Sequence, residues 1–165
     1  MRPPAHKDPR RETPGIPAPE GNAAFALALR VYYQDTDAGG VVFHAAYLNY
    51  FERARTEWLR ELGFGIGDLA KSAGLLFIVR EIHVKYHKPA LLDDKLVITA
   101  GIEHLGRAQF TLDQRVLRDQ DLLVQGRVNL GCVSALDLKP ARIPLGIRAA
   151  LERSQGWPVT EEEDA

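Results

Sequence analysis

Apolar residues recur at steps of three and four between positions 45 and 62. This spacing predicts one helix of about five turns with a wide apolar face. Gly63 follows the last apolar position and is typical of a helix end. The predicted apolar face consists of Tyr47, Leu48, Phe51, Ala54, Trp58, Leu59 and Leu62. A shorter helix is predicted over residues 66–72.

The pattern elsewhere favours strands. Residues 25–34 are rich in aliphatic and aromatic side chains and predict a first strand. Ile82, Val84 and Tyr86 alternate with polar residues, which predicts a half-buried strand that ends near Pro89. Because the later turns are short, we expect antiparallel neighbours that bury one face against the long helix, in an α+β fold. Further strands are predicted over residues 96–102, 107–117 and 122–133, and a terminal helix over residues 145–153.

The length of 165 residues fits one domain with tails. Residues 1–22 hold six of the ten prolines among charged and small side chains, which predicts a disordered tail. The acidic stretch within residues 156–165 predicts a second, solvated tail. The folded domain is therefore expected over residues 23–155.

Composition excludes several classes of protein. The chain carries 21 basic and 22 acidic residues, a formal charge of −1, whereas a nucleic-acid-binding protein needs a basic surplus or stripe. Cys132 is the single cysteine, so neither a disulfide framework nor a thiolate metal site fits within one chain, and the cytoplasm is the expected location. No apolar run reaches the roughly 20 residues of a membrane-spanning helix. Arg10 and Arg11 precede a small-residue run over residues 23–29, but that run is too short and too distant to predict a secretory signal.

Candidate chemistry is concentrated in residues 32–58, which read YYQDTDAGGVVFHAAYLNYFERARTEW. Asp35 and Asp37 stand before the pair Gly39-Gly40, just ahead of the long helix. One interpretation is a plain turn, in which the aspartates bond their own backbone. A metal site would need further clustered ligands that the stretch lacks. The other interpretation is acyl-transfer chemistry, because a carboxylate and the unpaired amides of a helix N-terminus can act together on a carbonyl group.

The same stretch closely resembles the hot-dog-fold acyl-CoA thioesterases of the 4-hydroxybenzoyl-CoA thioesterase type, in particular their Tol-Pal-associated, YbgC-like branch. That branch carries the same succession of Tyr, Asp-Thr-Asp, Ala-Gly-Gly-Val-Val, an aromatic-His pair and a Glu-Arg-Ala-Arg helix. The likeness continues through FIVREIHVKYHKPALLDD to the strand that holds Cys132. The resemblance implies a hot-dog fold, in which a curved five-stranded antiparallel sheet wraps a long central helix. It also implies hydrolysis of acyl-CoA to a free acid and CoA, without a metal or other cofactor.

The resemblance assigns roles to individual residues. Asp37, the second acid of the motif, is expected to be the catalytic carboxylate, as nucleophile or general base, and Asp35 to hold the turn. The backbone amide of His44 is expected to bind the thioester oxygen, whereas its imidazole has an alternative role as a cap or packing group. Arg107 matches a position at which relatives carry basic residues that meet the nucleotide end of CoA, and Lys88 is a second, weaker candidate for substrate binding. The alternative for both is an ordinary solvated charge.

Other notable side chains are interpreted as structural. Glu52 and Arg55 lie three residues apart on the long helix and predict a surface ion pair of little energetic weight. Tyr50 and Trp58 are interpreted as core aromatics, although a place along an acyl tunnel is the alternative. Cys132 is interpreted as a small buried apolar residue.

The resemblance further implies at least a homodimer, with a ten-stranded sheet across two protomers and active sites at their interface, or a homotetramer. A short chain with an open sheet edge supports this expectation. Two other functions stay open. One is a non-catalytic hot-dog module that binds acyl-CoA or acyl-carrier protein at the cell envelope, in connection with Tol-Pal, which the intact Asp37 disfavours. The other is a dehydratase or hydratase, for which the usual pair of Asp and His is not evident.

Overall fold

The structure is a computed structural model that describes residues 25–154. The predicted tails, residues 1–22 and 156–165, lie outside the described residues, as do the outermost positions of the predicted domain. The elements in chain order are β1 (Phe25–Arg30), a 3₁₀ turn (Tyr33–Asp35), α1 (Ala46–Glu61), α2 (Ile66–Asp68) with a following π turn (Leu69–Ala73), β2 (Leu75–Tyr86), β3 (Lys95–Leu105), β4 (Gln109–Arg118), β5 (Asp121–Ser134) and α3 (Leu145–Arg153).

The five strands form one open antiparallel sheet in the order β1-β3-β4-β5-β2. Short turns join β3 to β4 and β4 to β5, as the sequence predicted, and β1 and β2 are the two edges. The strand registers give the sheet two distinct ends. Arg30, Lys95 and Tyr86 lie at one of them, the Tyr86 end, whereas Leu75 and Leu105 lie at the other, the Leu75 end.

The long helix α1 is confirmed to within one residue at each end of its predicted span. Gly63 follows it with a φ of +95°, a conformation that favours glycine over every other residue. Leu48 was predicted on the apolar face but is 37% exposed, because it lies on the outer face one turn before exposed Glu52. Tyr50 and Trp58, which were predicted as core aromatics, are confirmed as buried. The buried face of the helix consists of Ala46, Tyr47, Tyr50, Phe51, Ala54, Trp58 and Leu59.

The helix packs closely on β5 at Gly126. A Cβ atom at that position would lie only 2.6 Å from the ring of Phe51, which is fully buried. The absence of a side chain therefore sets how near α1 comes to the sheet.

Two strand boundaries differ from the sequence prediction by four residues or more. β1 ends at Arg30 instead of running on to residue 34, because the Asp35 carboxylate accepts a hydrogen bond from the Tyr32 N–H at 2.9 Å and closes a local turn. β2 begins at Leu75, well before the predicted start at Ile82. Residues 75–79 are apolar at every position, so no alternation marks them as a strand.

The predicted surface pair of Glu52 and Arg55 is wrong. Arg55 is half-buried, and its Nη1 donates a hydrogen bond at 3.2 Å to Oε1 of Gln114 on β4, a residue that is fully buried. Burial lowers the pKa of Arg55, and the negative charge of Glu52 opposes that shift. Cys132 is buried as predicted, and burial raises the pKa of its thiol.

Candidate active site

The loop between β1 and α1 carries Asp37 and His44 and is closed by backbone hydrogen bonds. Thr36 and Val42 form an antiparallel bridge across it. The Asp37 N–H donates to the Val41 carbonyl at 2.9 Å, and the Gly40 N–H donates to the Asp37 carbonyl at 3.0 Å. Gly40 has a φ of +77°, which the tight turn requires. The sequence Asp-Ala-Gly-Gly thus forms a fixed reversal immediately before the helix.

The Asp37 carboxylate lies exposed at the tip of this loop. Its Oδ1 accepts a hydrogen bond from the Gly39 N–H at 2.8 Å, while its Oδ2 has no hydrogen bond within residues 25–154. A Cβ atom on Gly39 would lie 3.1 Å from Oδ1, so a side chain there would crowd the carboxylate. The loop therefore orients one carboxylate oxygen and leaves the other available to solvent or a ligand.

Asp35 ties the segment after β1 to the segment that precedes α1. In addition to the bond from Tyr32, its backbone carbonyl accepts the Phe43 N–H at 2.8 Å. The Tyr50 hydroxyl of α1 is buried and makes no hydrogen bond of acceptable geometry to any described residue. Burial raises the pKa of Tyr50, and the nearby negative charge of Asp35 raises it further, so this hydroxyl stays protonated. These contacts agree with the interpretation of Asp35 as the residue that holds the turn.

His44 lies at the start of α1 and is exposed. Its carbonyl accepts a hydrogen bond from the Tyr86 hydroxyl at 2.8 Å, whereas its backbone N–H has no acceptor in the described part of the chain. Its imidazole lies beside the Phe43 ring at a centroid distance of 4.4 Å and does not cap the helix, whose N-cap is Ala45. A free backbone N–H beside a carboxylate loop is suited to bind an oxygen that gains negative charge.

Tyr86 is a residue of this site that the sequence did not indicate. It lies at the end of β2, 42 positions from His44, and was predicted only as a strand residue. Its ring packs on Tyr47 at a centroid distance of 5.6 Å, and the Tyr47 hydroxyl accepts the Ala90 N–H at 3.1 Å. No local pattern encodes such a contact, because it depends on how β2 docks beside α1.

The two predicted CoA-binding residues lie at opposite ends of the sheet. Lys88 follows β2 at the Tyr86 end, where its Nζ is 3.6 Å from Oδ1 of Asp121. Arg107 is exposed in the turn between β3 and β4, at the Leu75 end. Since β3 is 11 residues long, the two ends are about 35 Å apart. One protomer therefore does not bring Arg107 near its own Asp37.

The described residues show neither a metal centre nor a membrane helix. Within residues 25–154, no group of three or more His, Cys, Asp or Glu side chains could hold a metal ion. In the same part of the chain, no helix is long and apolar enough to cross a membrane.

Comparison with known proteins gives consistent matches. The Thioesterase superfamily matches residues 39–125. The chain is 40% identical over 126 residues to the acyl-CoA thioesterase YbgC of Haemophilus influenzae, covering 76% of this chain and 93% of that protein. It is 40% identical over 130 residues to the acyl-CoA thioester hydrolase YbgC of Escherichia coli O157:H7, covering 78% of this chain and 96% of that one.

Solved structures agree with the fold. A protein described as a probable thioesterase from Bartonella henselae is 38% identical and superposes with a TM-score of 0.71 over 74% of this chain and all of that chain. The predicted hot-dog fold, a long helix on a five-stranded antiparallel sheet, is confirmed by this likeness together with the observed strand order.

Proposed function

We propose that this chain, which belongs to the thioesterase superfamily, hydrolyses acyl-CoA thioesters to a free acid and CoA. The observation that carries the proposal is one closed loop that holds an exposed carboxylate, that of Asp37, and the backbone N–H of His44, which has no acceptor among residues 25–154. CoA as the leaving thiol is supported by the relatives named acyl-CoA thioesterase, which align over most of this chain.

Each part of the loop has a chemical task in this proposal. The thioester oxygen accepts a hydrogen bond from the His44 N–H, which stabilises the negative charge that develops as the carbonyl carbon is attacked. Asp37 either attacks that carbon itself, forming an anhydride that water then hydrolyses, or removes a proton from the attacking water. The thiolate of CoA leaves in both routes. Tyr86 holds the His44 carbonyl, which restricts rotation of the His44 backbone and so helps to position the His44 N–H.

Asp37→Asn tests the catalytic assignment. The amide oxygen can still accept the Gly39 hydrogen bond, so we expect an unchanged melting temperature, but the variant has lost its anionic oxygen. Thiol release from a panel of acyl-CoAs should fall by at least about a hundredfold in kcat/KM. Asp119→Asn is the matched control, since Asp119 is exposed in the turn between β4 and β5. Unchanged hydrolysis by Asp37→Asn would refute the role of Asp37, and acyl-CoA binding without thiol release by the wild type would favour the non-catalytic module.

A homodimer completes the proposed site. β2 is an open sheet edge with Ile78 and Val79 exposed, and pairing two such edges would join two five-stranded sheets into one of ten strands. An antiparallel pairing sets the Tyr86 end of one protomer beside the Leu75 end of the other. Arg107 of one copy then lies on the side of the dimer that carries Asp37 of the other, as binding of the CoA phosphates requires. The cytoplasmic location stays a prediction from the cysteine content, and a link to Tol-Pal or acyl-carrier protein stays a prediction from the resemblance.

A further inference from the structure

A cavity of about 240 Å³ opens between α1, α2 and the start of β2. Most of its wall is apolar and includes Leu59, Leu69, Leu75, Phe77 and Leu130. This volume gives room for a small acyl or aryl group. An apolar cavity with few polar groups is typical of a small-molecule site.

Arg55 is the cationic group in this wall, together with the carboxylate of Glu52. Its Nη1 bonds to Oε1 of Gln114, whose Nε2 in turn donates to the Phe51 carbonyl at 3.0 Å. Gln114 is fully buried, so this chain of bonds anchors the guanidinium from behind. Within residues 25–154, no carboxylate forms an ion pair with Arg55, and four of its five N–H donors have no acceptor there.

We propose that this cavity binds the acyl group of the thioester, and that Arg55 donates a hydrogen bond to an uncharged oxygen, a hydroxyl or a ketone, on that group. The inference rests on the proposed thioesterase function and adds its substrate class. The N–H groups of this half-buried guanidinium that have no acceptor within residues 25–154 favour ligands that supply one. Glu52 lines the same cavity and would repel a second carboxylate, so a neutral oxygen fits better than an acid.

The cavity lies along α1 from the Asp37 loop of the same chain. Glu52 and Arg55 follow His44 by 8 and 11 positions, which corresponds to about 12 and 17 Å along the helix axis. An acyl group whose thioester oxygen binds the His44 N–H therefore extends along α1 toward Arg55.

Matched substrates test the role of Arg55. We compare kcat/KM for hexanoyl-CoA, 6-hydroxyhexanoyl-CoA and adipoyl-CoA, and for butyryl-CoA with 4-hydroxybutyryl-CoA, using the full chain. The wild type should prefer the hydroxylated member of each pair by about tenfold, and Arg55→Met should remove that preference while leaving the unsubstituted member within about twofold. Arg53→Met, an exposed neighbour on α1, is the control and should keep the preference. If Arg55→Met does not fold, Arg55→Lys, which keeps the positive charge, is assayed on the same substrate pairs in its place.

Each result has a defined meaning. Hydrolysis without a preference for hydroxylated substrates, equal losses on both members in Arg55→Met, or a preference for adipoyl-CoA would overturn the inference and leave the thioesterase function standing. No hydrolysis of any acyl-CoA by the wild type would overturn both.

Discussion

The hydrogen bond from Tyr86 to the His44 carbonyl offers a sharp test of the proposed oxyanion site. Tyr86→Phe removes the hydroxyl but keeps the ring that packs on Tyr47 at 5.6 Å. A hydrogen bond of this kind contributes about 0.5 to 1.5 kcal/mol net, which corresponds to about two- to twelvefold in rate if the whole amount appears in the barrier. Because Tyr86 is 51% exposed and water can replace part of the interaction, we expect a fall in kcat of about three- to fivefold.

The assay is thiol release at saturating and at limiting acyl-CoA. The His44 N–H is proposed to contact the oxygen more strongly in the transition state than in the bound substrate, so kcat should fall while KM stays within about twofold. The melting temperature should change little. Tyr33→Phe is the matched control, since Tyr33 is 83% exposed and its hydroxyl forms no hydrogen bond to a described residue. A rise in KM at constant kcat, or equal effects of the two substitutions, would refute a positioning role for Tyr86.

Two further predictions concern stability. Gly126→Ala should destabilise the fold by about 1 to 3 kcal/mol, because the new Cβ would lie 2.6 Å from the buried ring of Phe51. The assay is thermal unfolding, with Gly131→Ala as the control, because the new Cβ there would meet only the flexible, exposed side chain of Arg80. Equal melting temperatures for the two variants would contradict the close packing of Phe51 on Gly126. Burial alone would raise the pKa of Asp94, but a backbone N–H and the guanidinium of Arg118 outweigh it and hold that pKa below the usual 3.8. The resulting stabilisation is present above about pH 4 and is lost as the pH falls through the lower folded value. Urea unfolding should therefore show Asp94→Asn less stable than wild type at pH 7 and the gap narrower at pH 3; a gap that does not change with pH would refute this assignment.

Periodic elements were the best predicted part of the fold. α1 and α3 match their predicted spans because a helix that packs on one face repeats its apolar residues at a fixed step, and because Gly63 marks the end of α1. The start of β2 was missed because residues 75–79 are all apolar, so they show neither the alternation of a half-buried strand nor the three- and four-residue steps of a helix. Leu48 was misplaced because a step of three or four does not fix which edge of a wide apolar face meets the sheet.

The sequence by itself determined the elements and the motif around Asp37 and His44, since turn residues, glycines and helix starts act over a few neighbouring positions. It also supported the family likeness, which rests on one long ungapped stretch. Only the tertiary structure decided the contacts between distant segments. These are the Tyr86 hydroxyl on the His44 carbonyl, and the guanidinium of Arg55 on a buried glutamine where a surface ion pair was expected. The tertiary structure also decided that Asp37 and Arg107 lie at opposite ends of one sheet. The physical reason is that strand order and register bring together residues that are far apart in the chain, and no local pattern records which strands will become neighbours.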